Sequence, residues 1–159
     1  MALNAESYKG VLLMTKRGNS HGVFSNAKPI FVISIIDGIS EGVIVGNKIE
    51  YTNESLQEIY KRNYISLQND GSSLYRANTK ITPYNMPFFH LNAESYYHIK
   101  WKESVNPPQQ AQSPSGKYLS ENVMYAFIDN ELWDILQEAE IRFEFRNSLV
   151  KKFLTSTIV

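Results

Sequence analysis

At 159 residues, with 43% apolar, 13% aromatic and 20% charged side chains, the chain has the composition of one globular domain. Its length allows burial of roughly 70% of the unfolded surface, enough to fold without a metal or disulfide, and the absence of cysteine excludes disulfides, thiolate zinc sites and cysteine nucleophiles. Sixteen basic and sixteen acidic side chains leave no net charge, so any binding to nucleic acid must rest on a local patch.

The first residues, Met1-Ala2-Leu3-Asn4-Ala5-Glu6, show no basic region followed by an apolar run. No apolar stretch approaches the ~18 residues of a membrane span. The expectation is a cytoplasmic protein with no membrane contact. Tyr8, Val11 and Leu12 recur at helical spacing, and Lys16-Arg17 followed by Gly18 marks the helix end. Residues 18–22, with His21, read as a polar, flexible stretch. Ser25 or Asn26 can cap the next helix, Pro29 suits its first turn, and Ile30-Phe31-Val32-Ile33-Ser34-Ile35-Ile36 follows. The β-branched run also fits a buried strand. The proline before it and Asp37-Gly38-Ile39-Ser40-Glu41-Gly42 after it favour a buried helix ending near Gly42.

Residues 43–51 read as a short hairpin or an extended connection. Thr52 or Asn53 then caps an amphipathic helix with Leu56, Ile59, Tyr60 and Tyr64 on one stripe. Residues 66–80 are polar and predict a loop. Phe88-Phe89-His90-Leu91, a turn at Asn92-Ala93-Glu94-Ser95, and the alternating Tyr96-Tyr97-His98-Ile99-Lys100-Trp101-Lys102 predict a β-hairpin. The Pro- and Gln-rich residues 103–116 predict a mobile loop. From Tyr118 the chain becomes ordered again. Asp129 or Asn130 caps a helix with Leu132, Trp133, Ile135 and Leu136. Ile141, Phe145, Leu149 and Phe153 line the last helix. The sum is a mainly helical α+β fold, a single domain over 1–159 with a β-hairpin, somewhat like a winged helix. The hexamer Leu-Asn-Ala-Glu-Ser-Tyr occurs at Leu3–Tyr8 and Leu91–Tyr96 with unrelated flanks, and reads as coincidence.

Catalytic constellations are scarce. His21, His90 and His98 show no zinc-protease or nuclease spacing. His90 and His98 on one hairpin could face each other as a metal site, but two histidines on a half-exposed sheet is the plainer reading. Glu140 and Glu144 share a helix face with Arg142 and Arg146 and read as a solvated, charge-laced surface. No glycine-rich phosphate loop or serine elbow is present, and no cofactor is implied. What remains is a set of cations around an aromatic segment. Lys16, Arg17, His21 and Lys28 gather at a loop and a helix start, Arg76 and Lys80 precede the predicted hairpin, and Lys100 and Lys102 end it. A helix N-terminus bearing a lysine can hold a phosphate oxygen. Ordinary solubilising cations would look the same.

Ala27-Lys28-Pro29 before a buried apolar helix, then Pro87-Phe88-Phe89-His90-Leu91 and an aromatic-plus-basic strand, resembles the N-terminal domain of HNH-type restriction endonucleases. Ser113-Pro114-Ser115 and Asp129-Asn130-Glu131-Leu132-Trp133 continue the order, so the resemblance covers roughly residues 25–155. It extends to the sulfur-binding domain of type IV restriction enzymes that recognise phosphorothioate DNA. There a His-Lys-Pro-like motif starts the helix and a Tyr-Pro-Phe-Trp-like motif follows. The resemblance implies that Lys28 meets backbone phosphate, with Pro87 and its neighbours contacting a weakly hydrated sulfur. Ala27 stands where that group has histidine and Met86 where it has tyrosine. Met86 remains a soft apolar cover, whereas Ala27 offers no donor, so the implied ligand is DNA, modified or plain.

The expectation is therefore a DNA-recognition domain of a restriction or defence endonuclease. Lys16, Arg17, Lys28, Arg76, Lys100 and Lys102 would hold phosphate, and Met86, Pro87, Phe89 and His90 would carry recognition. Double-stranded DNA is the expected partner, with a nuclease partner or a second copy beside it. The family's nuclease module follows this domain, so no catalysis is expected from these residues. The rival is a protein-interaction or dimerisation domain docking through Phe89, Tyr97 and Trp101. A metal-dependent hydrolase using His90 and His98 comes third.

Overall fold

The structure, a computed structural model, describes residues 2–20, 23–67 and 81–154. Helix α1 (Ala2–Leu13) leads into a small hairpin of β1 (Gly18–Ser20) and β2 (Val23–Ser25), then α2 (Ala27–Ser40) and α3 (Glu54–Leu67). The segment that begins at residue 81 then carries α4 (Asn85–His90), a 3₁₀ turn at Leu91–Ala93, and β3 (Tyr97–Trp101). Helix α5 (Gly116–Asn122), β4 (Val123–Ile128), α6 (Asn130–Ile135) and α7 (Ala139–Leu149) complete the order, the last running on as a π-helical turn over Val150–Leu154. Among these elements no helix is long and apolar enough to cross a membrane.

Helix α2 is the axis. Every residue from Pro29 to Gly38 is buried, as expected of a helix apolar on all sides. Its neighbours are α3, α4 and α7. Phe31 sits at the centre of an aromatic cluster, its ring centroid 5.4 Å from Tyr84, 5.9 Å from Tyr97, 6.1 Å from Phe88 and 6.4 Å from Tyr60. Gly38 lets this helix be approached closely, because a Cβ there would lie 2.8 Å from Ile44 Cδ1 and 3.2 Å from Leu56 Cδ1. The helix stops where Gly42 takes φ +76°, a conformation that favours glycine. Asn53 starts α3, its Oδ1 accepting from the Leu56 amide at 3.1 Å.

The mainly helical α+β class and the presence of a hairpin agree with the sequence reading, but the hairpin lies at 18–25 rather than at 88–102. Residues 88–91 are helical, and β3 pairs instead with β4, a strand that sequence reasoning did not identify. The reason is local. Phe88, Phe89 and Leu91 are all buried, which a strand with one exposed face cannot achieve and a helical turn can. Pro87 sits in the first turn of α4, where its missing N–H costs nothing. The Tyr97 hydroxyl then donates to the Phe88 carbonyl at 2.6 Å, tying β3 to that turn. Residues 43–51 form an extended connection, with Ile49 bridging Ala126 on the free edge of β4. The second copy of the repeated hexamer is a 3₁₀ turn and the first is helix, so the repeat has no common structure.

Candidate nucleic-acid interface

Three stretches distant in the chain meet beside the start of α2. Lys28, in its first turn, forms an ion pair with Glu94 at 2.8 Å, the side chains only 15% and 12% exposed. The same Glu94 oxygen accepts the Lys16 backbone N–H at 3.2 Å. Arg17 donates to Asn26 Oδ1 at 3.1 Å and lies 5.3 Å over the Phe153 ring. Two of the cations expected to grip phosphate, Lys28 and Arg17, thus engage the protein itself, whereas Lys16 is held by its backbone and its side chain is exposed.

His90, at the end of α4, faces the loop before α5. Its Nε2 lies 3.0 Å from Ser113 Oγ, and the Gln110 amide nitrogen sits 3.2 Å from Nδ1 and 3.3 Å from the His90 carbonyl. A carbonyl oxygen can only accept, so the Gln110 nitrogen donates, Nδ1 accepts, and the proton of the neutral ring is on Nε2. Ser113 therefore receives a hydrogen bond, the wrong tautomer for activating it as a nucleophile. Asn85 Nδ2 donates to the Pro114 carbonyl at 3.0 Å, a further tether for the loop. Ser115 caps α5 by accepting from the Tyr118 amide at 3.1 Å. Between these tethers opens a groove of about 660 Å³, walled by Pro107, Pro108 and Pro114 and lined with Asn106, Gln112 and Ser113. Its lining is apolar rings interleaved with amide and hydroxyl groups, a chemistry that can receive a base edge or a substituent on it.

Burial, and then the nearby Lys28 charge, hold the His90 pKa below its ordinary 6.5. The unfolded chain therefore binds this proton at a higher pH than the folded one. The stability contribution is complete above pH 6.5 and is lost as pH falls from there toward the folded value. We expect the His90 ring to titrate below 6.5 by NMR and the Lys28→Met variant to titrate higher. An unchanged midpoint would separate the two groups.

The other expected site residues are scattered. Pro87 and Phe89 are buried, and Met86 is half-buried, so these expected recognition residues mostly wall the core. Burying one such phenylalanine is worth about 1.5–3 kcal/mol, which outweighs its use as an open contact. Lys100 is exposed on β3, beside Tyr125 rather than Lys28, and Lys102 is exposed just past that strand. Arg76, Lys80 and His21 lie outside the described residues. No family model and no curated protein matches this chain. The rival docking surface also loses its anchors, because Phe89 and Tyr97 are 1% and 0% exposed and Trp101 packs on Phe89 and Tyr118. His90 and His98 sit on separate elements with separate partners, His98 bonding Asp129 at 2.6 Å. Sequence reasoning missed Glu94, Gln110 and Ser113 as partners. Only Ser113 carried a signal, through Ser113-Pro114-Ser115.

Proposed function

We propose that this chain is a DNA-recognition domain of a restriction or defence system, reading duplex DNA, plain or modified, at the groove beside His90. One observation carries the reading: Ser113–Ser115 line the groove, His90 lies 3.0 Å from Ser113 at its edge, and the Lys28 charge acts on His90, so three segments that hold the resemblance meet although 87 positions separate Lys28 from Ser115. Proline rings and the amide and hydroxyl groups between them suit a base edge or an apolar substituent. Lys28 supplies the cation, and Glu94 occupies the place that a phosphate would take. The DNA backbone thus competes with Glu94 for Lys28, which weakens unspecific binding and favours a ligand that also fills the groove. Cleavage would come from a nuclease partner or module.

The test is fluorescence anisotropy with plain, methylated and phosphorothioated duplexes across a salt series. Glu94→Gln frees Lys28 and should tighten binding, steepening the slope of log affinity against log salt by about 0.9. Ser113→Ala and Gln112→Ala should each weaken the preferred duplex about tenfold. If no duplex binds more tightly than about 10⁻⁴ M, or all three variants match the parent, the reading fails.

A further inference from the structure

The sheet of β3 and β4 has a second face, which shares no residue with the groove. In its register Tyr97 opposes Ile128 and Ile99 opposes Ala126, and these pairs face inward. The alternate pairs, His98 with Phe127 and Lys100 with Tyr125, face outward. Ile49 bridges the buried Ala126, so the pleat turns Lys48 to the same outer side. There the Lys48 and Lys100 ammonium groups lie 5.2 and 5.7 Å from the centre of the Tyr125 ring. Phe127 continues the row, its centroid 6.0 Å from Tyr125 and 5.1 Å from His98. Among the described residues neither lysine makes an ion pair. The carboxylate at the far end, Asp129, is already engaged by His98 at 2.6 Å and by the Tyr8 hydroxyl at 2.8 Å. Glu50 follows Ile49 in the chain, is exposed, and forms no ion pair with either lysine.

We infer that this outer face binds single-stranded nucleic acid, bases stacking along Tyr125, Phe127 and His98 and phosphates meeting Lys48 and Lys100. Two ammonium groups drawn to one ring repel each other, and an anion between them relieves that repulsion. A row of rings with flanking cations complements a chain that alternates flat bases with phosphates. Paired bases hide their faces inside the duplex, so a stacking row selects unpaired ones. The inference stands whether or not the groove reads duplex DNA.

Labelled oligothymidylate and oligouridylate, titrated with the full chain, test it. Both should bind. A preference for one names the strand, and equal binding assigns the face to either. Tyr125→Ala should cost between about 5- and 150-fold. The doubly exchanged Lys48→Gln/Lys100→Gln chain, altered only at exposed positions, should flatten the salt slope by about 1.4. Ser113→Ala should leave this binding unchanged, which separates the face from the groove. Failure of both oligonucleotides to bind, or binding that survives Tyr125→Ala and the double exchange alike, overturns the inference.

Discussion

Phe31→Ala is expected to remove about 4 kcal/mol of stability, a large share of what holds a domain of this size. The ring is completely buried and touches four aromatic neighbours contributed by α3, the start of α4, α4 itself and β3. Its loss leaves a cavity that these elements cannot all close at once, because each is also tied elsewhere. Tyr60, for instance, donates to the Thr82 carbonyl at 2.8 Å and Tyr97 to Phe88 at 2.6 Å. Urea unfolding followed by circular dichroism should show a lower midpoint with an unchanged slope. Phe31→Leu, which keeps most of the volume, should cost less than about 1.5 kcal/mol. A loss under about 1 kcal/mol for the alanine variant would remove Phe31 from the centre of the core.

Asp37→Ala is the second large effect, at about 3 kcal/mol. This carboxylate, on the last turns of α2, accepts from Arg146 Nε at 2.7 Å, from Arg146 Nη2 at 3.1 Å and from Asn63 Nδ2 at 2.8 Å. Asn63 Nδ2 also lies 3.2 Å from Ser34 Oγ, and Ser34 in turn donates to the Ile30 carbonyl at 2.7 Å. The network joins α2, α3 and α7, and deleting its acceptor leaves the buried Asn63 amide and a guanidinium without their partner. Arg146 is a third exposed, so water partly compensates and the value falls at the lower end for a broken buried pair. Asp37→Leu/Arg146→Met should recover most of the loss, since removing both charges together leaves nothing uncompensated. Thermal melts of the single and double variants check this. Equal melting points for Asp37→Ala and the parent would show the network to be idle.

These two residues also mark how far the sequence could be read. Phe31 was legible, because eight consecutive residues from Pro29 to Ile36, all apolar except Ser34, leave a helix no exposed face. Asp37 was not, since a carboxylate ending an apolar helix looks the same whether it meets solvent or an arginine 109 positions later. The same contrast runs through the candidate site. Lys28 read as an available cation because its nearest sequence neighbours carry no acid, whereas its actual partner, Glu94, comes from a distant turn. Phe88 and Phe89 read as strand because aromatic residues favour strands, and burial on a helical turn overrode that preference.

What the amino-acid order determined alone was whatever depends on neighbours within a few turns. It set the buried helix that ends near Gly42, the start of the next helix at Thr52 or Asn53, the stripe of the last helix and the mainly helical class. Periodicity and capping act over distances that a short window contains. Only the tertiary structure decided strand pairing, the company each charge keeps and which aromatic rings stay accessible. Such choices compare contacts between distant segments, and their free energy belongs to the pair rather than to either stretch of sequence.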